Sequence, residues 1–335
     1  MERVAVVVAL AVGLLAACGG DAGRDAGAPA TASAYRLDDT LRLNQIQVLG
    51  THNSYHVAPP VGPGLTPERD ITQAPLTVQL ERQSVRQIEL DVHAGGGGPL
   101  RVFHLRGDEG TTCPTLVDCL REVRDWSEHH RDHVPLFVLV EAKHELGAIV
   151  DPLAVDAEIR SVFRPDQLLT PDDVQGDWPS LRQAVQDGGW PLLGSTRNKV
   201  VVVFTDNGLS RTTYTSSETS LQGRAMFVYA DPSSPLAAVA SVPDARVDGD
   251  RIAALVGAGF IVRTRADDGG VEARANDSSR AVAALRSGAH LVSTDYPVPA
   301  PSGYVVAAPG RPAGCNPVTT PPGAACTPQD VENLG

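Results

Sequence analysis

The sequence has few aromatic and few basic residues, and both shortages narrow the classes of protein that it can encode. Aromatic residues make up 4% of the 335 residues, so Val, Leu, Ile and Ala must fill a core. Lysine and arginine number 28 against 40 acidic residues, which gives a formal net charge of −12. Nucleic-acid binding needs a basic stripe, so this balance argues against a nucleic-acid partner. It does not exclude an anionic substrate held through a bound cation.

Long apolar runs are also scarce, and the one from Val4 to Ala17 is too short to span a bilayer comfortably. It ends in Leu15-Ala16-Ala17-Cys18, which resembles the lipobox of bacterial lipoproteins. The resemblance implies a signal peptide over residues 1–17, and a lipidated Cys18 followed by a flexible tether over residues 18–39. The alternative is an ordinary secretory signal with a chance cysteine. Both predict export, and the first also predicts anchoring at the outer face of a membrane.

The sequence contains five cysteines, and none of the four after Cys18 has the CxxC spacing of a zinc site. An even number of cysteines in an exported protein predicts disulfides, and four cysteines allow three connectivities. The simplest pairing is local, between Cys113 and Cys119 and between Cys315 and Cys326. Zinc binding is the less favoured alternative, because no histidine pair lies near either set.

Apolar, β-branched runs alternate with helical patterns over most of the chain, without an internal repeat. Eight runs predict strands, at residues 45–50, 85–92, 100–103, 135–140, 199–204, 225–229, 260–263 and 290–293. Helical spacing of apolar residues predicts helices at residues 76–83, 116–129, 155–163, 181–187, 248–258 and 278–287. This alternation is typical of an α/β protein, a (β/α)8 TIM barrel with parallel strands. We expect one barrel domain over residues 40–300 and a Pro- and Gly-rich tail with a disulfide over residues 301–335.

Polar clusters follow several of the predicted strands, and in a barrel the carboxyl ends of the strands meet at one mouth. His52 follows the first strand and His104 follows the short third strand. Two histidines at one mouth suit general acid and base chemistry near neutral pH, so this pair is the candidate catalytic pair. The other histidines lack that setting and are interpreted as surface or packing residues: His56, His93, His129, His130, His133, His144 and His290.

Carboxylates repeat at a two-residue spacing on two strands. Glu89 and Asp91 point the same way from one strand, and Glu141 and Lys143 do so from the next long strand. Two carboxylates facing into a barrel mouth repel each other, and a bound cation would resolve the conflict. The alternative is a pair of solvated charges at a strand end. Lys143 offers a positive charge for a phosphate oxygen.

The candidate metal ligands supply only oxygen atoms, which favours Ca²⁺ first and Mg²⁺ second. These ligands are Asn53, Glu89, Asp91 and Glu141. Zinc would recruit His52 or His104 and remove the acid or the base.

Two arginines and an aspartate complete the candidate substrate contacts with Lys143. Arg263 and Arg265 share a face at the end of the seventh predicted strand and would hold an anionic group. Plain salt bridges are the alternative for both arginines. Asp295 follows the last predicted strand.

The ordered set of strand-end motifs resembles the calcium-dependent phosphoinositide-specific phospholipase C family of bacteria and the catalytic X region of the eukaryotic enzymes. The motifs are Gly50-Thr51-His52-Asn53-Ser54-Tyr55, Glu89-Leu90-Asp91-Val92, Phe103-His104, Glu141-Ala142-Lys143 and Ser293-Thr294-Asp295-Tyr296-Pro297. The resemblance implies a distorted TIM barrel that cleaves phosphatidylinositol to diacylglycerol and a cyclic inositol phosphate. It also implies that His52 and His104 act as the catalytic pair beside a Ca²⁺ ion, with Lys143 contacting phosphate or inositol.

Two other functions remain open at this stage. Glycerophosphodiester phosphodiesterases share the fold and the Glu-x-Asp pair, but they usually have His-Arg-Gly where this chain has His52-Asn53-Ser54. A surface lipoprotein that binds lipid or sugar phosphate without turnover needs no acid–base pair. We therefore expect a monomeric phosphodiesterase that acts on a phospholipid or related phosphodiester and is held at the membrane surface by Cys18. The sequence leaves open whether His52 or a carboxylate is the general base.

Overall fold

The computed structural model describes Met1 and residues 35–60, 66, 69–144, 148–206, 208–215, 219–308 and 312–332. The predicted signal peptide, Cys18 and the tether up to residue 34 lie outside these residues. No helix among the described residues is both long enough and apolar enough to cross a bilayer.

In the described part of the chain, ten strands form one sheet around a barrel. They are β1 (Ile46–Thr51), β2 (Val85–His93), β3 (Arg101–Val102), β4 (Leu136–Ala142), β5 (Val200–Phe204), β6 (Met226–Val228), β7 (Val239–Ser241), β8 (Ile261–Arg265), β9 (Leu291–Thr294) and β10 (Ala313–Cys315). Eight strands are neighbours in the order β6-β5-β4-β2-β1-β9-β8-β7, and their pairings are parallel. A parallel bridge from Tyr229 to Val239 links the two ends of this order. The predicted parallel α/β barrel is therefore confirmed.

The prediction was wrong about which strands make up the eight. The segment at 100–103 is not a barrel strand: β3 pairs antiparallel with the end of β2, with Val92 opposite Val102. The turn at Gly95–Gly98 allows only a hairpin, because a parallel crossover needs a dozen residues or more. The missing barrel strand is β7, whose three residues are too few to show an alternating pattern.

Helices lie between most of the barrel strands and cover the outside of the sheet. They are α1 (Leu76–Arg82), α2 (Leu116–His129), α3 (Pro152–Val162), α4 (Pro171–Gln175), α5 (Leu181–Gln183), α6 (Leu193–Thr196), α7 (Leu209–Tyr214), α8 (Ala245–Gly257), α9 (Val271–Ala275) and α10 (Ser279–Arg286). A π-helical turn, Ala184–Gly188, continues α5. Helix α2 begins after Thr115, whose hydroxyl oxygen accepts a hydrogen bond from the backbone of Asp118. The core is aliphatic, and every residue of β5 is buried, as expected for a strand covered on both faces.

Both predicted disulfides, Cys113–Cys119 and Cys315–Cys326, are present. The second lies in the tail, where β10 runs antiparallel along the first half of β1. The tail also places Glu332 against Arg86 at the start of β2. The tail from β10 onward is thus packed on the amino-terminal end of the barrel, opposite the mouth.

Candidate active site

His52 is held at the mouth of the barrel by a buried carboxylate. Its Nδ1 lies 2.9 Å from Oδ1 of Asp295, and Arg265 Nη2 lies 3.3 Å from Oδ2 of the same aspartate. Burial, together with the positive charges of Arg265 and Arg263, lowers the pKa of His52 to about 3. His52 is therefore a neutral imidazole that donates from Nδ1 to Asp295 and keeps Nε2 for another partner.

A second buried carboxylate fixes Asp295. Asp267 accepts the backbone N–H of Asp295 at 2.8 Å, and it also accepts the hydroxyls of Thr294 and Tyr304. Burial and the negative charge of Asp295 raise the pKa of Asp267, and burial raises that of Asp295. Asp267 thus fixes the backbone of Asp295 directly, and it also fixes the neighbouring Thr294.

His104 has the same arrangement on the other side of the mouth. Its Nδ1 lies 2.8 Å from Oδ2 of the buried Asp108, four residues further along the chain. His56 Nε2 lies 3.1 Å from Oδ1, and Arg69 Nε lies 3.1 Å from Oδ2. Burial alone would raise the pKa of Asp108, but hydrogen bonds from His104 and His56 outweigh it and hold the pKa below its usual value. Asp108 is therefore an ionised acceptor that orients His104.

The loops that carry the two histidines are joined to each other. An antiparallel bridge pairs His56 with Thr111, and the N–H of Val57 donates to the carbonyl of Gly110 at 3.1 Å. A Cβ at Gly110 would lie 2.1 Å from the carbonyl oxygen of Val57, so only glycine allows this approach. On the other side, the ring of Phe103 stacks on His93 with centroids 3.6 Å apart. These contacts fix the backbone on both sides of His104.

Three acidic side chains lie near one another at the ends of β2 and β4. Asp91 is opposite Glu141 in the parallel register, and Glu89 lies two residues before Asp91 on the same face. Lys143 Nζ lies 2.6 Å from Glu141 Oε1 and 3.0 Å from Asp91 Oδ2. The loop after β1 joins this group, because Ser54 Oγ accepts the backbone N–H of Glu89 at 2.8 Å.

The burial and the pKa of the Asp91 carboxylate test whether these acidic residues suit a bound cation. This carboxylate is fully buried, and its counter-ion Lys143, 3.0 Å from Oδ2, is shared with Glu141. Burial raises its pKa to about 8, and the negative charges of Glu141 and Glu89 add to this effect while Lys143 opposes it. Asn53 adds an amide oxygen, which lies 3.5 Å from the hydroxyl of the buried Tyr55. A buried carboxylate with a shared counter-ion, among oxygen donors, fits a hard divalent cation.

The two arginines at the end of β8 form salt bridges, which was the alternative interpretation of the sequence. Arg263 Nη2 donates to Glu89 Oε2 at 2.8 Å, and its Nε donates to Ser293 Oγ at 2.9 Å. Arg265 bridges Asp295 and Asp268, and its buried Nε has no acceptor among the described residues.

The structure brings the predicted side chains together around one mouth, in connected groups. They are His52, Asn53, Glu89, Asp91, His104, Glu141, Lys143, Arg263, Arg265 and Asp295. The sequence interpretation missed the roles of Asp108 and Asp267, and it treated His56 as an ordinary packing residue. The spacing of Asp108, four residues after His104 in a glycine-containing loop, was the available signal.

Comparisons with known proteins agree with this geometry. The family described as Phosphoinositide phospholipase C, Ca²⁺-dependent, matches residues 41–100 and 98–317. A calcium-dependent phosphoinositol-specific phospholipase C from Pseudomonas sp. is 19% identical, with a TM-score of 0.58 over 82% of this chain and 95% of that one. The Ca²⁺-dependent enzyme from Streptomyces antibioticus is 16% identical, with a TM-score of 0.52 over 76% and 95% of the two chains. At these identities the structures establish the fold, and no curated protein matches the sequence.

A parallel α/β barrel whose mouth carries two carboxylate-held histidines and a group of acidic side chains suits metal-assisted phosphodiester chemistry. The family match covers most of the chain, so the protein belongs to the Ca²⁺-dependent phosphoinositide phospholipase C family and is a phosphoric diester hydrolase. The predicted family, enzyme class and calcium cofactor are confirmed by this membership.

Proposed function

We propose that this protein cleaves phosphatidylinositol by intramolecular attack of an inositol hydroxyl on phosphorus, releasing diacylglycerol and a cyclic inositol phosphate. The observation that carries the proposal is the paired arrangement of His52 on Asp295 and His104 on Asp108. Each imidazole is held through Nδ1 and keeps Nε2 for the substrate, as an acid–base pair requires.

The two histidines take opposite parts in the reaction. His52 is neutral and accepts the proton of the attacking hydroxyl at Nε2. His104 takes part as the imidazolium: its Nδ1–H donates to Asp108, and its Nε2 proton passes to the leaving oxygen of glycerol, which leaves a neutral ring in the same orientation. Lys143, Arg263 and Arg265 supply positive charge for the phosphodiester, and Asp295 holds His52 in the required tautomer.

Asn53, Glu89, Asp91 and Glu141 would hold the Ca²⁺ ion. When bound, the ion supplies positive charge to the attacking hydroxyl and to a phosphoryl oxygen, which stabilises the charge of the transition state. Within the chain, too little positive charge lies beside these carboxylates to balance their negative charge.

Exposed apolar side chains near the mouth favour a lipid over a deacylated substrate. They follow strand ends, three in loops and Val271 at the start of α9: Leu105, Ile149, Val271 and Val298, with exposed fractions of 41%, 59%, 61% and 45%. A deacylated head group has no acyl chain or bilayer for these residues to contact. The proposal therefore includes a monomeric enzyme that works at a membrane surface after export, anchored through a lipidated Cys18.

Phosphorus NMR of the full-length protein with phosphatidylinositol micelles, with Ca²⁺ and then with chelator, tests the proposal. We expect a cyclic phosphodiester signal that requires Ca²⁺. Loss of His104 in His104→Ala should lower the rate by about 10²–10⁴ while Ca²⁺ affinity stays nearly unchanged. Release of glycerol phosphate from glycerophosphoinositol, without reaction on the lipid, would instead identify a glycerophosphodiesterase. Binding of lipid without any product would identify a binding lipoprotein.

A further inference from the structure

His56 has no part in the reaction described above, yet it is buried between two acceptors. Its Nδ1 lies 2.6 Å from the backbone oxygen of Ile71, and its Nε2 lies 3.1 Å from Oδ1 of Asp108. A carbonyl oxygen and an ionised carboxylate only accept hydrogen bonds, so both ring nitrogens donate. The ring is thereby fixed at both ends, and it directs one donor at the carboxylate that orients His104.

The carboxylate of Asp108 needs a hydrogen-bond donor such as His56 to fix its orientation, because Asp108 lies in a loop. It follows His104 in the loop between β3 and α2, outside any helix or strand, and its own N–H donates to the carbonyl of Leu105. One carboxylate oxygen faces His104 and Arg69, and the other faces His56. Rotation of the carboxylate would break the bond to His104, and the donor from His56 opposes that rotation.

We propose that His56 is a positioning residue that acts through Asp108 to hold His104 in the orientation from which it protonates the leaving group. The inference rests on the proposed role of His104 as general acid. It adds a third histidine to the mechanism, one whose two ring nitrogens both contact acceptors of the chain itself.

The backbone of His56 has a structural role that must be separated from that of its ring. Its N–H donates to the carbonyl of Asn53 at 2.9 Å, and its carbonyl accepts from Gln73 at 2.8 Å. Any substitution at position 56 keeps these two bonds. A defect confined to the orientation of the general acid appears only when the leaving group needs a proton, whereas damage to the loop or to the cation site slows every substrate.

Two amide variants separate the two ends of the ring. In His56→Gln the amide nitrogen takes the place of Nε2 and can donate to Asp108. In His56→Asn the amide nitrogen takes the place of Nδ1, so the bond to Ile71 is kept and the donor to Asp108 is lost. Each full-length variant is assayed on phosphatidylinositol and on the para-nitrophenyl phosphodiester of inositol, whose phenolate leaves without a proton at neutral pH.

For His56→Asn we expect kcat on phosphatidylinositol to fall by about 10- to 100-fold, the cost of a misplaced catalytic group. On the para-nitrophenyl ester its kcat should change by less than about threefold, with KM similar for both substrates, because the misplaced acid is not needed there. His56→Gln should recover most of the lost activity on the lipid. Equal losses on both substrates would overturn the proposal, as would equal activity of the two variants on the lipid.

His104→Ala is assayed beside them, because it tests the proposed function separately. If His104→Ala loses the same activity on both substrates, His104 is not the general acid and the proposed function fails at that step. If His104→Ala is rescued by the para-nitrophenyl ester while His56→Asn is not, the proposed function stands and only the inference on His56 fails. Thermal unfolding of each variant checks folding, and Asp108→Asn, which should behave like His56→Asn, replaces that variant if it does not fold.

Discussion

Replacing Glu332 by Ala is expected to destabilise the barrel by about 3–5 kcal/mol, although the residue lies in the last described part of the tail. Arg86 is fully buried and donates to both carboxylate oxygens of Glu332. Its third nitrogen donates to the carbonyls of Leu80 and Val85, both at 2.8 Å. The backbone N–H of Val134 also donates to Glu332, at 3.0 Å. Truncation to Ala would leave a guanidinium and an N–H buried without their acceptor.

Thermal unfolding followed by circular dichroism measures this loss. A domain of this size shifts by about 2–3 °C per kcal/mol, so the midpoint should fall by roughly 6–15 °C. Asp330→Ala is the matched control in the same tail, because its ion pair with Arg36 lies at the surface, where solvent screens it, and should contribute little to stability. The double variant Arg86→Met with Glu332→Leu should recover most of the stability, since it removes both buried charges. A midpoint for Glu332→Ala equal to that of Asp330→Ala would refute the reasoning.

Two further predictions concern buried titratable residues, Asp91 at the mouth and His290 at the amino-terminal end of the barrel. Asp91→Asn should lower Ca²⁺ affinity at least about tenfold in titration calorimetry, because one anionic ligand is lost. Its thermal midpoint in chelator should stay close to that of the wild type, since burial already favours the neutral form of Asp91 when no cation is bound; a clearly lower midpoint would show that Asp91 stabilises the cation-free fold. Burial lowers the pKa of His290 from 6.5 to about 4, although the hydrogen bond that its ring donates to the carbonyl of Asn44 opposes this shift. The neutral ring also accepts the N–H of Val262. Below pH 6.5 the unfolded chain binds a proton that the folded chain does not, so stability should fall by about 3 kcal/mol between pH 6.5 and 4. His290→Gln should reduce this slope in urea titrations, and an unchanged slope would contradict the assignment.

The sequence predicted most of the barrel because buried parallel strands are long, apolar and β-branched. β5 is an unbroken apolar run and β4 is one as far as Val140, and α2 has the same bounds as its helical pattern. β7 escaped detection because three residues carry no period and its pairing with β8 is a tertiary contact. The segment at β3 was misassigned on its apolar content, although the short glycine turn before it already required a hairpin.

Site residues were predictable where the residue type itself indicates the chemistry. They were not predictable where a residue has a role only because the fold brings it into contact with another. Histidines and paired carboxylates after strands point to acid–base and cation chemistry without any contact being known. Asp108 and His56 are common residue types in a loop, and their importance follows from the 2.8 Å and 3.1 Å contacts that only the fold creates. Asp267 is similar, because its partners come from the end of β9 and from the tail.

Buried carboxylates have complete ion pairs at the amino-terminal end of the barrel, whereas those at the mouth share their counter-ions. This contrast explains where calcium is needed. At the amino-terminal end, Arg197 donates from two nitrogens to both oxygens of the buried Asp38, and Arg86 does the same to Glu332. Each pair there is complete within the chain. At the mouth, three carboxylates share Lys143 and Arg263, so two positive charges stand against three negative ones. Burial raises the pKa of Asp91 to about 8, and a cation bound beside it would favour its ionised form.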